Sequence, residues 1–321
     1  MKYDIMMIGP ATRDRNIDFT GKEVREIGGA VFFGVAAVKA AGASVFASLK
    51  LNPVDQDLID AMNLPVESVA VLPSTATTMM QNTYFTADRE RREAVCLVQS
   101  DPITPDEIPH VDCGLYHLAG LLYGDFPNEL IVELSKRGKV SADIQGFLRH
   151  NEGGKMNFHD WPDKHEYLRY FDFLKTDAAE AEILTGTSDR RAAAKMLYEW
   201  GAKEIMVSHN SEMLVYDGAE YYTCPVKARN LSGRTGRGDT TFGAYLAKRM
   251  TGASIADALL FATAAVSRKM ESPGPITGTE ADISIPFTAD NLVSSSAMRY
   301  NDINQWSSGG VSRESHRSTP V

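Results

Sequence analysis

From Gly114 onward the chain alternates short apolar runs with stretches of helical period, and that alternation restricts its fold more than any other feature. Residues 115–119, 140–144, 170–174 and 204–208 read as strands, and 127–136, 178–184 and 191–200 as helices, the last stopped by Gly201. Repeated strand–helix units build a mostly parallel sheet covered by helices on both faces. The N-terminal part adds a strand at 3–8 broken by Gly9-Pro10, a small-residue helix at 30–41 closed by Gly42, and strands at 44–49 and 66–72. An antiparallel pair at 213–216 and 221–223 precedes helices at 239–250 and 254–270. Two polar stretches, 13–27 and 76–98, break the alternation and suit a small sheet standing off the main one; the charged residues 88–92 read as a solvated hairpin tip. The expected class is α/β, a three-layer α/β/α sandwich over residues 1–290. Residues 291–321, rich in Ser, Arg and Gly, read as a poorly ordered tail.

Where the chain enters the helix at 239–250 it runs Ser-Gly-Arg-Thr-Gly-Arg-Gly-Asp over residues 232–239. Amide N–H groups at a helix start lack intrahelical partners, and the helix dipole adds partial positive charge there. Such a place binds phosphate. Gly236 and Gly238 permit close approach of a ligand to the backbone. Asp239 beside them can take a proton from a hydroxyl, so Gly236, Arg237, Gly238 and Asp239 together supply an anion cradle and a base. The same residues read equally as a tight turn with an Asp cap.

This segment resembles the signature of the ribokinase-like (PfkB) carbohydrate kinases, usually Asp-Thr-x-Gly-Ala-Gly-Asp. Three further stretches resemble family features in the expected order: Gly28-Gly29 ahead of an Ala-rich helix, Asp177-Ala-Ala-Glu180 for the Asn-x-x-Glu motif, and Gly9-Pro-Ala-Thr-Arg-Asp14 for the turn that carries a substrate-binding Asp. The resemblance spans about residues 3–285. It implies a ribokinase-like sandwich with a small β-sheet lid, and ATP-dependent transfer of a phosphoryl group to a hydroxyl of a small sugar, polyol or nucleoside. ATP and Mg²⁺ are the cofactors it implies, and a homodimer through the lid is the assembly it allows. A non-catalytic sugar- or nucleotide-binding relative on the same fold is the alternative reading.

Carried onto single residues, the resemblance makes Asp239 the base and the amides of 236–239 the anion hole. Asp14, Gly28 and Gly29 would meet the acceptor, with Phe33 where the family often has a sugar-binding Asn; core packing is the other reading of Phe33. Gln145 and Arg149 follow Asp143 in a loop between acceptor and nucleotide, and Arg149 reads either as a phosphate contact or as a surface residue. Ser208, Asn210, Gly233 and Thr263 fall at nucleotide-facing positions. Asp177 and Glu180, three apart on a first helical turn, suit Mg²⁺ through water or simple capping of the helix. Gly233 stands for the usual Asp and Arg237 for the usual Ala; Arg237 reads either as a nucleotide-phosphate contact or as a solvent-facing side chain.

Other classes fit poorly. The chain has 321 residues, 43% of them hydrophobic, and a net charge of −9, which argues against nucleic acid or an anionic membrane as the main partner. Its three cysteines form no CxxC pair, as in a reduced compartment. The N-terminus lacks the apolar stretch and cleavage site of a signal peptide, and no run is long enough to cross a bilayer, so a cytoplasmic protein is expected. The seven histidines show no HExxH spacing, and no Gly-x-x-x-x-Gly-Lys-Ser/Thr, Gly-x-Ser-x-Gly or strand-one Gly-x-Gly-x-x-Gly occurs.

Overall fold

The computed structural model describes residues 2–86, 91–229, 233–284 and 293–294. In chain order the first half comprises β1 (Tyr3–Pro10), β2 (Thr12–Ile17), β3 (Glu23–Gly28), α1 (Ala30–Ala40), β4 (Val45–Leu51), α2 (Gln56–Ala61), β5 (Val69–Pro73), β6 (Thr78–Tyr84), β7 (Arg92–Val98), β8 (Cys113–Leu118), α3 (Asn128–Ser135) and β9 (Lys139–Asp143). The second comprises α4 (Gln145–Leu148), β10 (Arg149–Glu152), β11 (Lys155–Phe158), α5 (Lys164–Tyr167), β12 (Phe173–Asp177), α6 (Ala178–Thr185), α7 (Arg190–Glu199), β13 (Ile205–Ser208), β14 (Glu212–Tyr216), β15 (Tyr221–Pro225), α8 (Arg237–Met250), α9 (Ile255–Lys269), α10 (Glu280–Ser284) and β16 (Val293–Ser294).

Two sheets result. The larger runs β16-β15-β14-β13-β12-β9-β8-β1-β4-β5, parallel from β13 through β5 and antiparallel from β13 out to β16. Successive β1 side chains serve opposite faces: Ile5 and Met7 join the core under α1, α8 and α9, whereas Met6 and Ile8 join the core under α3, α6 and α7. Helices α1 and α8 cross closely because Gly243 and Gly34 bring backbone to backbone; a Cβ on Gly243 would stand 3.0 Å from the Gly34 carbonyl oxygen.

The smaller sheet runs β10-β11-β7-β6-β2-β3. Both stretches expected to stand apart, 13–27 and 76–98, are in it, with β2 spanning Thr12–Ile17. A further hairpin, β10–β11, joins at the Lys155–Val95 pair; its first strand is polar throughout and its second is four residues long, too short to mark it in the sequence. Alternate residues of β2 and β6 are buried: Thr12, Asp14 and Asn16, then Thr78, Met80, Asn82 and Tyr84. This mostly polar inner face bounds the cavity described below.

Two expected strands start later than the apolar pattern indicates. The run at 66–72 begins with a 3₁₀ turn, Val66–Ser68, and the strand expected at 170–174 lies at Phe173–Asp177 behind a 3₁₀ turn at Leu168–Tyr170. The second shift places Lys175 inside a strand. Helix α8 starts at Arg237 rather than Asp239, so the glycine loop contributes its first turn. The hairpin tip at 87–90 and most of the expected tail lie outside the described residues; within 291–321, Val293–Ser294 pairs with β15. Among the described residues, no helix is long and apolar enough to cross a membrane.

A buried polar triad fixes α8 on the sheet. The carboxylate of Glu204, just before β13, accepts from the Tyr245 hydroxyl at 2.5 Å and from Arg249 Nε and Nη2 at 3.0 Å each. Removing one partner of such a group strands the others without compensation. Glu204→Ala is therefore expected to destabilise the protein by about 3 kcal/mol in urea unfolding; a change below about 0.5 kcal/mol would show that the triad does not anchor α8.

Candidate active site

The parallel strands deliver their carboxyl ends to one edge, the usual ligand side of an open α/β sheet. From β13 towards β1, that edge presents Ser208, then Lys175 and Asp177 of β12, then Asp143 of β9, then Leu121 after β8, then Gly29 after β3. Helix α8 points its first turn at them, and the inner face of the small sheet closes over them. They enclose a cavity of about 200 Å³ whose lining includes five cationic and five acidic side chains.

Its floor is an ion pair. Lys175 Nζ lies 2.6 Å from Asp143 Oδ2, and both side chains are almost fully buried. Burial opposes the charge on Lys175, but Asp143 and Glu180 outweigh it and hold the ammonium protonated, with its pKa above the usual lysine value. Gly238 rests directly on this pair, and a Cβ there would stand 2.9 Å from Lys175 Nζ. Gly238 is thus required for space. Gly236 is required for conformation as well: its φ is 77°, and a Cβ would meet the Phe33 ring at 2.2 Å.

No side chain caps α8. The Arg237 N–H turns back to the Arg234 carbonyl at 3.3 Å, so the expected four-amide cradle of 236–239 is narrowed by one donor. Asp239 follows in the first turn, facing the cavity. Burial first, and the Asp143 charge second, raise its pKa to about 6, against the pull of Lys175 and Arg149. A carboxylate so tuned is ionised at neutral pH and still basic enough to accept a hydroxyl proton.

Arg149 is buried, donating Nε to the Leu121 carbonyl at 3.0 Å. That carbonyl belongs to a turn held by Asp125, whose Oδ2 accepts from the Leu121 and Leu122 amides at 2.8 and 3.0 Å. Burial and Arg92 lower the pKa of Arg149, while Glu180, Asp239 and Asp143 oppose the shift. Gln145 lines the cavity beside it. Asp14 reaches in from β2, held by the Thr12 hydroxyl at 2.6 Å, and burial raises its pKa. Phe33 is 4% exposed, packs under Gly236 and borders the cavity.

Asp177 and Glu180 both line the cavity while capping α6 reciprocally: Glu180 N–H donates to Asp177 Oδ1 and Asp177 N–H to Glu180 Oε2, each at 2.9 Å. Burial, with Asp143 and Asp177 nearby, pushes the Glu180 carboxyl up despite Lys175.

Four expected site residues stand elsewhere. Gly28 leaves room for the Asp14 carboxylate, which a Cβ would meet at 2.4 Å. Gly233 lies behind the loop, its N–H bonded to the Met270 carbonyl at 2.8 Å. Asn210 is exposed and accepts from Arg237 Nη1, which gives Arg237 a protein partner at the cavity rim. Thr263 is fully buried in α9 with its hydroxyl bonded to the Leu259 carbonyl, so it faces no nucleotide. Among the charged and polar lining residues, sequence reasoning missed Lys175, Arg92, Arg234, Asn82 and Thr235, while Asp143, read only as the start of the loop that carries Gln145 and Arg149, also lines the cavity. A lysine inside the apolar run Phe-Leu-Lys-Thr-Asp was a usable signal; Arg92, at the end of a charge run, carried none. Tyr84 bonds Thr235 hydroxyl to hydroxyl at 3.3 Å, joining the small sheet to the loop.

A family model described as pfkB family carbohydrate kinase matches residues 58–282. A pyrophosphate-dependent kinase in the ribokinase family, solved with a pyrophosphate analog and myo-inositol, superposes with a TM-score of 0.79 at 34% identity over 88% of this chain and 99% of that one. The cytidine kinase of Thermococcus kodakarensis (strain KOD1) is 26% identical over 265 residues, 76% of this chain and 87% of that protein. Ribokinase of Arabidopsis thaliana, solved with ribose and ATP, shares the fold with a TM-score of 0.70 at 16% identity over 88% of this chain and 98% of that one.

The raised Asp239 pKa sets a signed expectation. Its folded value of about 6 exceeds the unfolded one, so the ionised carboxylate costs stability that is fully present above pH 6 and vanishes as pH falls towards 4. Asp239→Asn should lower turnover by about 10²–10⁴-fold and raise stability at pH 7.5 by on the order of 1–2 kcal/mol. Wild-type turnover should fall as pH drops through about 6. An active Asn variant, or a wild-type rate flat down to pH 5, would remove Asp239 from the chemistry.

Proposed function

The chain belongs to the pfkB family of carbohydrate kinases, and from that premise we propose that it transfers a phosphoryl group from pyrophosphate to a hydroxyl of a polyol ring of the myo-inositol kind. The observation that carries the donor assignment is the charge that lines the cavity. Arg237 has Arg234 and Asp177 within electrostatic reach, while Phe33, Met80, Leu121 and Ala30 supply the apolar part of the lining. Among the described residues, the cavity thus offers five cations for phosphates and only four apolar side chains that could meet a base. Thr263, expected at the base, is enclosed in α9. The 34% identical pyrophosphate-dependent kinase supports the same donor.

At the acceptor end Asp14, Asn82, Gln145 and Arg149 offer hydrogen-bond partners around Phe33 and Met80. A polyol ring presents hydroxyls at its rim and C–H faces above and below, which matches this mixture. Asp239 would take the proton of the attacking hydroxyl. The helix start and Lys175 would stabilise charge on the transferred group, and Arg92, carried by the small sheet, would close over it.

Glu180 and Asp177 fit Mg²⁺ by the chemistry of their donors: hard carboxylate oxygens, the Glu180 carboxyl held back from ionising by burial and then by Asp143 and Asp177, whose charge a divalent cation would offset. When bound, Mg²⁺ would neutralise charge on the donor phosphates.

ATP as donor is the second reading. The turn carrying His209 and Asn210 beside Ser208 is exposed, which leaves the donor end open to a longer molecule. A homodimer through the small sheet is also part of the proposal, because Phe19, Val24, Phe85, Leu97 and Phe158, on that sheet or its turns, expose large apolar surface. Light scattering should then give twice 35.2 kDa.

Assayed side by side with Mg²⁺, pyrophosphate should exceed ATP in kcat/KM by at least about tenfold, the equivalent of one good charge-assisted contact. Myo-inositol should exceed free ribose and cytidine as acceptor. ATP as the better donor would overturn the inorganic-donor assignment, and cytidine as the best acceptor would overturn the polyol. Arg237→Ala should raise the donor KM by roughly tenfold or more and leave the acceptor KM within twofold; an unchanged donor KM would mean that Asn210 alone engages Arg237.

A further inference from the structure

Outside the main cavity, behind the glycine loop, lies a lysine that the proposed chemistry does not use. Lys269 ends α9, is 2% exposed, and among the described residues makes no salt bridge. Taking an ammonium out of water without a carboxylate is costly, so its contacts matter. It has two. Nζ donates to the Gly233 carbonyl at 2.8 Å, and it lies 5.4 Å from the centre of the Phe33 ring.

Both partners shape the loop. Gly233 begins it, and its backbone is pressed onto the residues after α9 so tightly that a Cβ would meet the Ser272 carbonyl oxygen at 1.9 Å. Phe33 fills the space over Gly236, the left-handed residue from which α8 departs. One buried ammonium therefore grips the start of the loop and the ring that seats its end.

We propose that Lys269 is the positioning residue of the phosphate-facing helix start: by holding the Gly233 carbonyl and the Phe33 ring it fixes the curvature of 233–239, and its charge adds to the positive potential there. This rests on the phosphoryl-transfer reading of the site. The charged groups facing the ammonium are Asp239 of α8, Glu26 of β3, Asp14 of β2 and Arg234 of the loop, around a neighbouring opening of about 280 Å³. Burial lowers the Lys269 pKa to about 8, with Asp239 and Glu26 opposing the shift. The ammonium is thus present below pH 8 and lost above it, and anion affinity should fall as pH rises through that value.

The test compares wild type with Lys269→Met, which removes charge and donor, and Lys269→Gln, which keeps a donor. The probes are inorganic pyrophosphate and sulfate by calorimetry, amide hydrogen exchange at 236–239, and steady-state kinetics. The Met variant should bind pyrophosphate and sulfate at least tenfold more weakly and lose 10- to 100-fold in kcat, with the acceptor KM within twofold. The Gln variant should recover part of both losses. Wild-type sulfate affinity should weaken between pH 7 and 9, and that of the Met variant should not. A Met variant with wild-type anion affinity and kcat, or one that loses acceptor affinity instead, overturns the proposal. Should the Met variant fail to fold, unchanged amide exchange at 236–239 in the Gln variant overturns it. Absence of phosphoryl transfer by wild type with any donor would sink the reaction reading alone, since anion affinity and exchange still report on Lys269.

Discussion

The buried Lys175–Asp143 pair is the contact on which the rest of the site is built. It joins the carboxyl ends of two neighbouring parallel strands, with the residues directly opposed in register. Burying two charges costs several kcal/mol per ion, and close pairing offsets this only with good geometry and further hydrogen bonds. Here the pair also supports α8: without a side chain at 238, the first turn settles onto Lys175 Nζ. That contact sets the height of Asp239 above the sheet and brings it close enough to Asp143 for one carboxylate to raise the pKa of the other. The same ammonium restrains the shift, so Asp239 stops near 6 rather than remaining protonated at neutral pH. The structural ion pair and the shifted carboxylate of Asp239 are therefore one arrangement.

Charge balance around that pair explains why so polar a cavity can exist. Five cations and five carboxylates share about 200 Å³, and none could be buried alone at tolerable cost. They are not mixed at random. Arg237 has Arg234 and Asp177 within electrostatic reach, whereas Asp14 is held by Thr12 and feels Glu26, Arg92 and Arg149. A donor that brings several negative charges, and an acceptor that brings only hydroxyls, would each meet the end suited to it. The small sheet contributes Asp14, Asn82 and Arg92 to the lining.

How much of this could be read from the sequence depended on whether a residue's role was local. The strand–helix alternation and the glycine loop have local signals, and the main sheet, α1, α8 and the loop-to-helix junction followed from them. Asp239, Asp177 and Glu180 were legible as lining residues because each sits at a helix start, and Asp14 because it follows the Gly9-Pro10 break at the end of β1. Thr263 was misplaced because a linear comparison cannot tell which face of α9 a residue occupies, and its hydroxyl is turned back to Leu259. Arg92 and Arg234 were missed because only pairing of β6 with β7 and folding of the loop carry them to the cavity. Lys269 was not singled out, because its burial depends on the passage of the 233 backbone across the α9 terminus.

The glycines show most clearly why one motif can hold several unrelated physical demands. Gly236 is set by a left-handed φ, Gly238 by the ammonium beneath it, Gly233 by backbone crossing backbone, and Gly28 by the carboxylate of Asp14. Only Gly236 is required for its dihedral angle as well as for space; at the other three any side chain collides, and a larger one collides more. Position 237 differs because its side chain runs along the cavity rim to Asn210, in the turn between β13 and β14, rather than onto the ion pair beneath the helix. The loop can therefore exchange a small residue for an arginine without disturbing the turn that holds Asp239. If Arg237 meets the donor as proposed, such a position can alter donor preference while Asp239 stays in place, because the arginine and the glycines answer to different neighbours.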